Sequence, residues 1–235
     1  MRGGAEPDLP PAVRELPAAA RESLAELVSM LASERDAPSA VRDPSELWRV
    51  HVADSLAGLE FPELGSAERV ADVGSGAGLP GLVIAAALPD AGVDLIESVG
   101  RKCAFIERAA SRAAIANVRV VCERSEAWAL GEGRQAYDAV TARAVGRLST
   151  LAELASPLLG DGAALVAWKG RRDPDEEDEL ARAAARLAME PVEIRWVGPY
   201  AGSRNRHLHL MRKSGPTPDE LPRRPGVAKR RPFGK

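Results

Sequence analysis

Apolar residues recur at helical spacing in the first quarter of the chain and in short runs after it. Leu24, Leu27, Val28 and Leu31 fall at i, i+3, i+4 and i+7, one stripe of an amphipathic helix from Pro17 to Glu34. Asp43-Pro44-Ser45-Glu46 reads as a second helix start, with Asp43 as N-cap, Pro44 at the first helical position and Glu46 at the third. That helix should reach about Leu56 and carry Trp48, His51 and Asp54, and His51 and Asp54 share a face on which they can pair. From Arg69 the pattern changes. Short apolar strands at Arg69–Val73, Val93–Ile96, Val118–Cys122, Tyr137–Ala142 and Gly162–Trp168 alternate with helices at Pro80–Leu88, Arg101–Ile115, Ser125–Leu130, Leu148–Ala155 and from Asp173 to Met189. Val192–Val197 and His207–Arg212 read as two closing strands at a sheet edge.

This order predicts an α/β fold: a mostly parallel, seven-stranded sheet covered by helices, with an N-terminal helical extension. Residues 1–16, rich in Pro, Gly and charge, are expected to be disordered. Residues 17–213 should form a single domain, with 17–60 as its helical lead-in, and residues 214–235 a basic tail. In such sheets ligands bind beyond the carboxyl ends of the strands, so chemistry is sought just after each strand.

Composition changes this picture little. Hydrophobic residues make up 45% of the chain but aromatics only 4%, so Ala, Leu and Val must fill the core. No apolar run reaches the roughly 20 residues that span a bilayer, and residues 1–11 carry no apolar signal core. The expectation is a cytoplasmic, monomeric protein that does not engage a membrane. Cys103 and Cys122 form neither a CxxC pair nor a zinc pattern and read as reduced core thiols. His207 and His209 lack a third ligand at metal spacing, so no metal is expected. The acids Asp175, Glu176, Glu177 and Asp178 read as capping and solvation of a helix start.

Charge matters more. The net charge is −2, yet Arg212, Lys213, Arg223, Arg224, Lys229, Arg230, Arg231 and Lys235 crowd the end of the chain against Asp219 and Glu220. A basic tail on an acidic body suits a flexible polyanion-binding arm, or else a solvated terminus.

The densest chemistry follows the first strand, in Asp72-Val73-Gly74-Ser75-Gly76-Ala77-Gly78-Leu79-Pro80-Gly81. Gly74, Gly76 and Gly78 let the backbone turn sharply and approach a ligand. A dinucleotide and S-adenosylmethionine (SAM) both use such loops. The pyrophosphate of a dinucleotide sits on the helix N-terminus, where Asp72 is unwelcome. SAM has no phosphate and carries a positive sulfonium, which a nearby acid suits. Glu97, ending the second strand, can accept hydrogen bonds from both hydroxyls of a ribose. Ser125 and Glu126 follow the third strand, where a purine would lie. Arg143 follows the fourth and can hold a carboxylate or a phosphate.

Several motifs together resemble one family. The lead-in Arg42-Asp43-Pro44 through His51-Val52-Ala53-Asp54-Ser55, the Gly-rich loop ending Leu79-Pro80-Gly81, Glu97-Ser98-Val99-Gly100-Arg101-Lys102, Ala142-Arg143-Ala144, Lys169-Gly170, Arg206-His207-Leu208 and Pro222-Arg223-Arg224-Pro225-Gly226 are similar to the RsmG/GidB family in order. Glu97 stands where Asp is also used, and Leu221 replaces a Tyr. The resemblance implies a Rossmann-like SAM-dependent methyltransferase fold, with SAM as methyl donor. It further implies N7 of one guanine in 16S ribosomal RNA as acceptor, on free RNA or an assembling small subunit. Cofactor contacts would fall on Gly74, Leu79, Ser125, Glu126 and Arg143, with Gly76 and Gly78 in the same loop and Glu97 at the ribose. Guanine N7 has an exposed lone pair, so the reaction needs alignment rather than a general base. Arg143 and Lys169 are the positioning candidates. RNA contacts are expected at Arg101, Lys102, Lys169, Arg206, Arg223, Arg224, Lys229, Arg230 and Arg231. Competing readings are a SAM methyltransferase for another acceptor, an NAD(P)-binding oxidoreductase and a non-catalytic RNA-binding module.

Overall fold

A computed structural model describes residues 9–235. Before the sheet come α1 (Pro11–Arg14), α2 (Ala18–Ser33), α3 (Pro44–Leu47), α4 (Asp54–Leu56) and α5 (Pro62–Gly65). The sheet region then runs β1 (Arg69–Val73), α6 (Gly81–Ala87), β2 (Gly92–Ile96), α7 (Gly100–Arg112), β3 (Val118–Val121), α8 (Ser125–Trp128), β4 (Tyr137–Arg143), α9 (Leu148–Ala155), β5 (Leu159–Lys169), α10 (Pro174–Leu187), β6 (Met189–Trp196), β7 (His207–Lys213) and α11 (Val227–Arg230). Among the described residues seven strands form one sheet, in the order β3-β2-β1-β4-β5-β7-β6. β3, β2, β1, β4 and β5 are parallel, and β7 runs antiparallel to both β5 and β6. Strand order reverses between β1 and β4, which opens a crevice at their carboxyl ends.

Two apolar cores lie on the two faces of the sheet. One joins Leu24, Leu27 and Leu31 of α2 to Leu82, Phe105 and Leu208. The other joins Leu151, Leu180 and Leu187 to Met211, Leu221 and Phe233. Alanines at zero exposure, such as Ala139, Ala164 and Ala167, sit in the strands where helices pack closely, which is how so few aromatics suffice. Among the described residues no helix is long and apolar enough to cross a membrane.

Several expectations need correction. Residues 1–8 lie outside the described residues, but 9–16 are ordered: α1 forms there and Val13 is fully buried. Cys122 is exposed, so only Cys103 is a core thiol. The acids of α10 do more than cap and solvate. Asp173 caps the helix through the Asp175 and Glu176 N–H groups. Glu176 is buried and accepts from Leu148 N at 2.8 Å and Lys169 Nζ at 2.7 Å. Glu177 takes both arms of Arg172. The tail is not a flexible arm either. Leu221, Ala228 and Phe233 are buried in the second core, and the Phe233 ring lies between the Arg186 and Arg223 guanidinium groups, 4.2 and 3.9 Å from its centroid.

His209 on β7 is 4% exposed, and burial pushes its pKa down to about 4, against the pull of Glu177. The folded protein holds it neutral, while the unfolded chain takes a proton near pH 6.5. Stability is therefore complete above pH 6.5 and falls as the pH drops toward 4. The loss from this residue is on the order of 2–3 kcal/mol. Urea unfolding at pH 7 and pH 4.5 should show His209→Gln flattening that decline.

Candidate active site

The crevice holds two cavities. The first, about 510 Å³, is lined by Val73, Gly74, Ile96 and Glu97 at the ends of β1 and β2, by Glu123–Glu126 after β3, by Val145, and by residues of the tail from Pro225 to Arg230. The second, about 210 Å³, is lined by Asp54, Arg143, Ala144, Gly146, Lys169, Arg206 and His207 among others. The segment after β4 separates them: Val145 faces the first, while Ala144 and Gly146 face the second. Ala144 adopts a left-handed backbone (φ 60°), a conformation that costs a residue with a Cβ and persists only where its surroundings enforce it.

The glycine loop is built from behind. Asp72 is 1% exposed; its carboxylate accepts from Thr141 Oγ1 at 2.9 Å and from Gly81 N at 3.2 Å. Burial raises its pKa, opposed by those bonds. Asp72 thus lies outside the first cavity and ties β1 to β4 and to the start of α6. Gly74 has φ 71°, and a Cβ there would meet Val145 Cγ2 at 2.7 Å. Gly78 has φ 82°, with Leu82 Cδ1 only 2.5 Å from a Cβ. Of the loop residues singled out by sequence, Gly74 lines the cavity, while Gly76, Gly78 and Leu79 shape it from behind.

Glu97 is the hinge of the first cavity. Its Oε1 accepts from Val99 N at 2.9 Å and its Oε2 from Gly76 N at 3.0 Å, with Lys102 Nζ 3.6 Å away. Two backbone donors fix the carboxylate and leave further lone pairs on both oxygens, the capacity a vicinal diol requires. Cys103 Sγ bonds the Glu97 carbonyl at 3.2 Å, and burial, with help from Cys122 and Glu97, pushes its thiol pKa up to about 12. Ser125 and Glu126 line the same cavity, as expected, but Glu126 Oε1 also accepts the Gly226 N–H at 2.7 Å and so anchors the tail.

Arg143 sits elsewhere than its place at the end of β4 suggests. It lines the second cavity, where Nη1 donates to Asp54 Oδ2 at 3.1 Å and to Ser55 Oγ at 3.3 Å. Arg206 Nε is 3.6 Å from the other Asp54 oxygen and has no hydrogen-bond partner, although buried; its Nη2 donates to Tyr200 at 3.2 Å. Lys169 donates to Gly146 O at 3.0 Å and to Glu176. Two arginines, a lysine and His207 therefore surround a pocket in which Asp54 is the one carboxylate lining the wall. The expected His51–Asp54 pair does not form. From Trp48 to Ala53 the helix winds as a π-helix, and the Asp54 N–H bonds Arg49 O five residues back. The wider turn breaks the i, i+3 alignment and aims Asp54 at Arg143. His51 bonds Ser39 Oγ through Nε2 at 2.9 Å instead, and burial, then Arg143, lowers its pKa to about 4.

The remaining cations divide. Arg223 is committed to the fold: it forks onto Glu153, which is 3% exposed, and donates to Arg231 O at 2.8 Å. Lys213 is buried against Ser156 and Thr217, and burial lowers its pKa to about 8. Arg101, Arg224, Lys229, Arg230 and Arg231 are exposed, with Lys229 and Arg230 at the rim of the first cavity. Sequence reasoning gave Asp54 the wrong partner and missed Glu153 and the tail's role as a cavity wall. The Asp54 signal was present in the lead-in motif, but no local spacing points a helical acid at a strand end.

Comparison with known proteins places residues 22–208 under the family model GidB, rRNA small subunit methyltransferase G. A ribosomal RNA small subunit methyltransferase G of Rubrobacter xylanophilus is 40% identical over 197 residues, 82% of this chain and 75% of that one. One of Sorangium cellulosum is 39% identical over 188 residues, 79% and 76%. Among solved structures, a SAM-dependent methyltransferase from Aquifex aeolicus shares the fold, with a TM-score of 0.53 and 17% identity over 80% of this chain and 98% of that one.

The Arg223–Glu153 fork makes a sharp prediction. Arg223→Ala strands a buried carboxylate and removes a cation from the Phe233 ring, so it should cost about 3–5 kcal/mol in chemical unfolding. Arg224→Ala, exposed one residue on, should stay within about 0.5 kcal/mol.

Proposed function

The chain belongs to the GidB family of rRNA small subunit methyltransferases G, and from that premise we propose that it moves a methyl group from SAM to N7 of a guanine in 16S ribosomal RNA. The donor would occupy the glycine-loop cavity and the guanine the cationic one. The observation that carries this reading is the shared wall at 143–146: two cavities of different chemistry abut at the strand-order switch. The first fits SAM. Glu97 offers acceptors for a ribose diol, and Ser125 and Glu126 offer polar groups beside a purine. A dinucleotide fits worse, because its pyrophosphate at the start of α6 would meet the Asp72 carboxylate, already bonded to Gly81 N.

When bound, SAM supplies an electrophilic methyl on a positive sulfur. Transfer of that methyl to the N7 lone pair would release a neutral thioether and leave the positive charge on the guanine. No proton moves at N7, so the chain has only to hold and align. Glu97 and the loop fix the donor side. Arg143, Arg206 and Lys169 face the acceptor, where they can donate to guanine O6 or a flanking phosphate. Arg143 is held in place by Asp54 and Ser55; holding donor and acceptor together in reacting geometry can lower a barrier by roughly 7–11 kcal/mol.

Four measurements test this. Labelled SAM incubated with rRNA from a strain lacking the protein should methylate one guanine, found by mapping the modified nucleotide. SAM should raise the Tm, and NAD should not. By titration calorimetry, Glu97→Ala should lose about 1.5–3 kcal/mol of SAM affinity, with Glu97→Gln, which keeps one acceptor oxygen, in between. Truncation after Lys213 should weaken SAM as well as RNA, because the tail walls the cofactor cavity. Parental SAM affinity in the truncated protein would refute that arrangement.

A further inference from the structure

Trp196 at the end of β6 is 61% exposed, an uncommon position for an indole. Its register neighbour is His207, whose partner on the other side is Lys169. Residues directly paired across strands point to the same face of a sheet, so Trp196, His207 and Lys169 form one row. His207 and Lys169 line the cationic cavity. The indole therefore stands on the rim of that cavity, one strand out. It folds over Gly198: a Cβ there would lie 2.9 Å from the ring, so only glycine lets it rest on the hairpin turn. The hairpin between β6 and β7 continues with Tyr200, the exposed Arg204 and the inward Arg206, and Arg171 is exposed just past Lys169-Gly170. Acids also stand on this face, at the start of α10: Asp173, Asp175 and Asp178 are exposed, Asp173 caps the helix, and Glu177 is taken by Arg172.

We propose that Trp196 is a stacking platform for the base next to the acceptor guanine, with Arg204 and Arg171 taking the flanking phosphates. This rests on the acceptor reading of the cationic cavity. A guanine that enters a pocket of about 210 Å³ must leave its stack, and its neighbour then exposes a bare π-face. An exposed indole beside cations at the pocket mouth is the surface that recovers this stacking in single-stranded RNA. The exposed cations Arg171 and Arg204 beside the indole suit the phosphates of a single-stranded RNA, the ligand whose guanine the proposed acceptor pocket takes.

The test uses the full chain with two probes, a mixed-sequence single-stranded RNA oligonucleotide and rRNA from the strain lacking the protein. Trp48 is buried, Trp128 is half-buried and bonded to Tyr137, and Trp168 lines the second cavity at only 5% exposure with its Nε1 donating to Asp54 O, so Trp196 is the indole open to stacking. RNA should quench parental fluorescence, and Trp196→Phe should remove most of that quenching while keeping RNA affinity within about threefold. Trp196→Ala should lose about tenfold in oligonucleotide affinity and in KM for rRNA, with Tm and SAM affinity unchanged. Parental RNA affinity in Trp196→Ala overturns the proposal. So does a change of mass in light scattering on the same substitution, which would assign the face to a second copy. If rRNA gains no methyl from the parental protein, the acceptor reading fails, while the oligonucleotide data still decide whether Trp196 stacks on RNA.

Discussion

A carboxylate without water must be hydrogen-bonded, and Asp72 is the one on which the site depends. It sits at the strand-order switch and joins three elements through two bonds: β1, which carries it; β4, through Thr141; and α6, through Gly81. Gly81 has no room for a Cβ, which would fall 2.1 Å from Leu95 and 2.9 Å from Asp72 itself. The loop between Asp72 and Gly81 is thereby pinned at both ends. Its left-handed glycines at 74, 76 and 78 then hold one shape, and Glu97 closes it from β2 through Gly76. The cavity is a consequence of where that loop is anchored.

The same economy runs through the other acids. Asp54, Glu97, Glu126, Glu153, Glu176 and Glu179 are all buried, and each is met by a backbone N–H, a hydroxyl, an arginine or a lysine. Burying an unpaired charge is costly, so these acids fix where their partners go. Glu153 and Glu126 hold the tail, Glu176 holds Lys169, and Asp54 holds Arg143. Part of the chain's negative charge is thus turned to internal geometry, together with Arg143, Arg147, Lys169 and Arg223, the cations that meet it.

Much of this was legible in the chain. Period-two and period-3.6 patterns placed the strands and most helices, and the motif order identified the family, because backbone needs such as the glycine turns are local. Long-range partners were not local and were missed. His51 and Asp54 looked paired at helical spacing, but a π-turn inside that helix has no spacing signature and sent them to different neighbours. The tail looked flexible because Pro222, Pro225, Gly226 and Pro232 exclude long helices and strands. Those residues allow tight turns equally well, and Leu221, Ala228 and Phe233 supply the apolar anchors that decide between the two outcomes. Trp196 read as one more apolar residue of a closing strand; its exposure depends on being at the outer edge of the sheet, which only the antiparallel insertion of β7 between β5 and β6 reveals.

That insertion also explains why the cationic cavity and the glycine-loop cavity share one end of the sheet. Because β7 runs against its neighbours, its first residues, His207 and Leu208, lie beside the last residues of β5, Lys169 and Trp168. The loop entering β7 thus delivers Arg206 to the carboxyl end of the parallel strands, where a parallel strand would have delivered its far end instead. The tail returns to the same end and walls the other cavity, tied there by Gly226 to Glu126. A protein built this way cannot loosen its tail without opening the first cavity, nor move the hairpin without moving Arg206 relative to Asp54. The two cavities are coupled through the backbone from Arg143 to Gly146, whose successive residues face one and then the other.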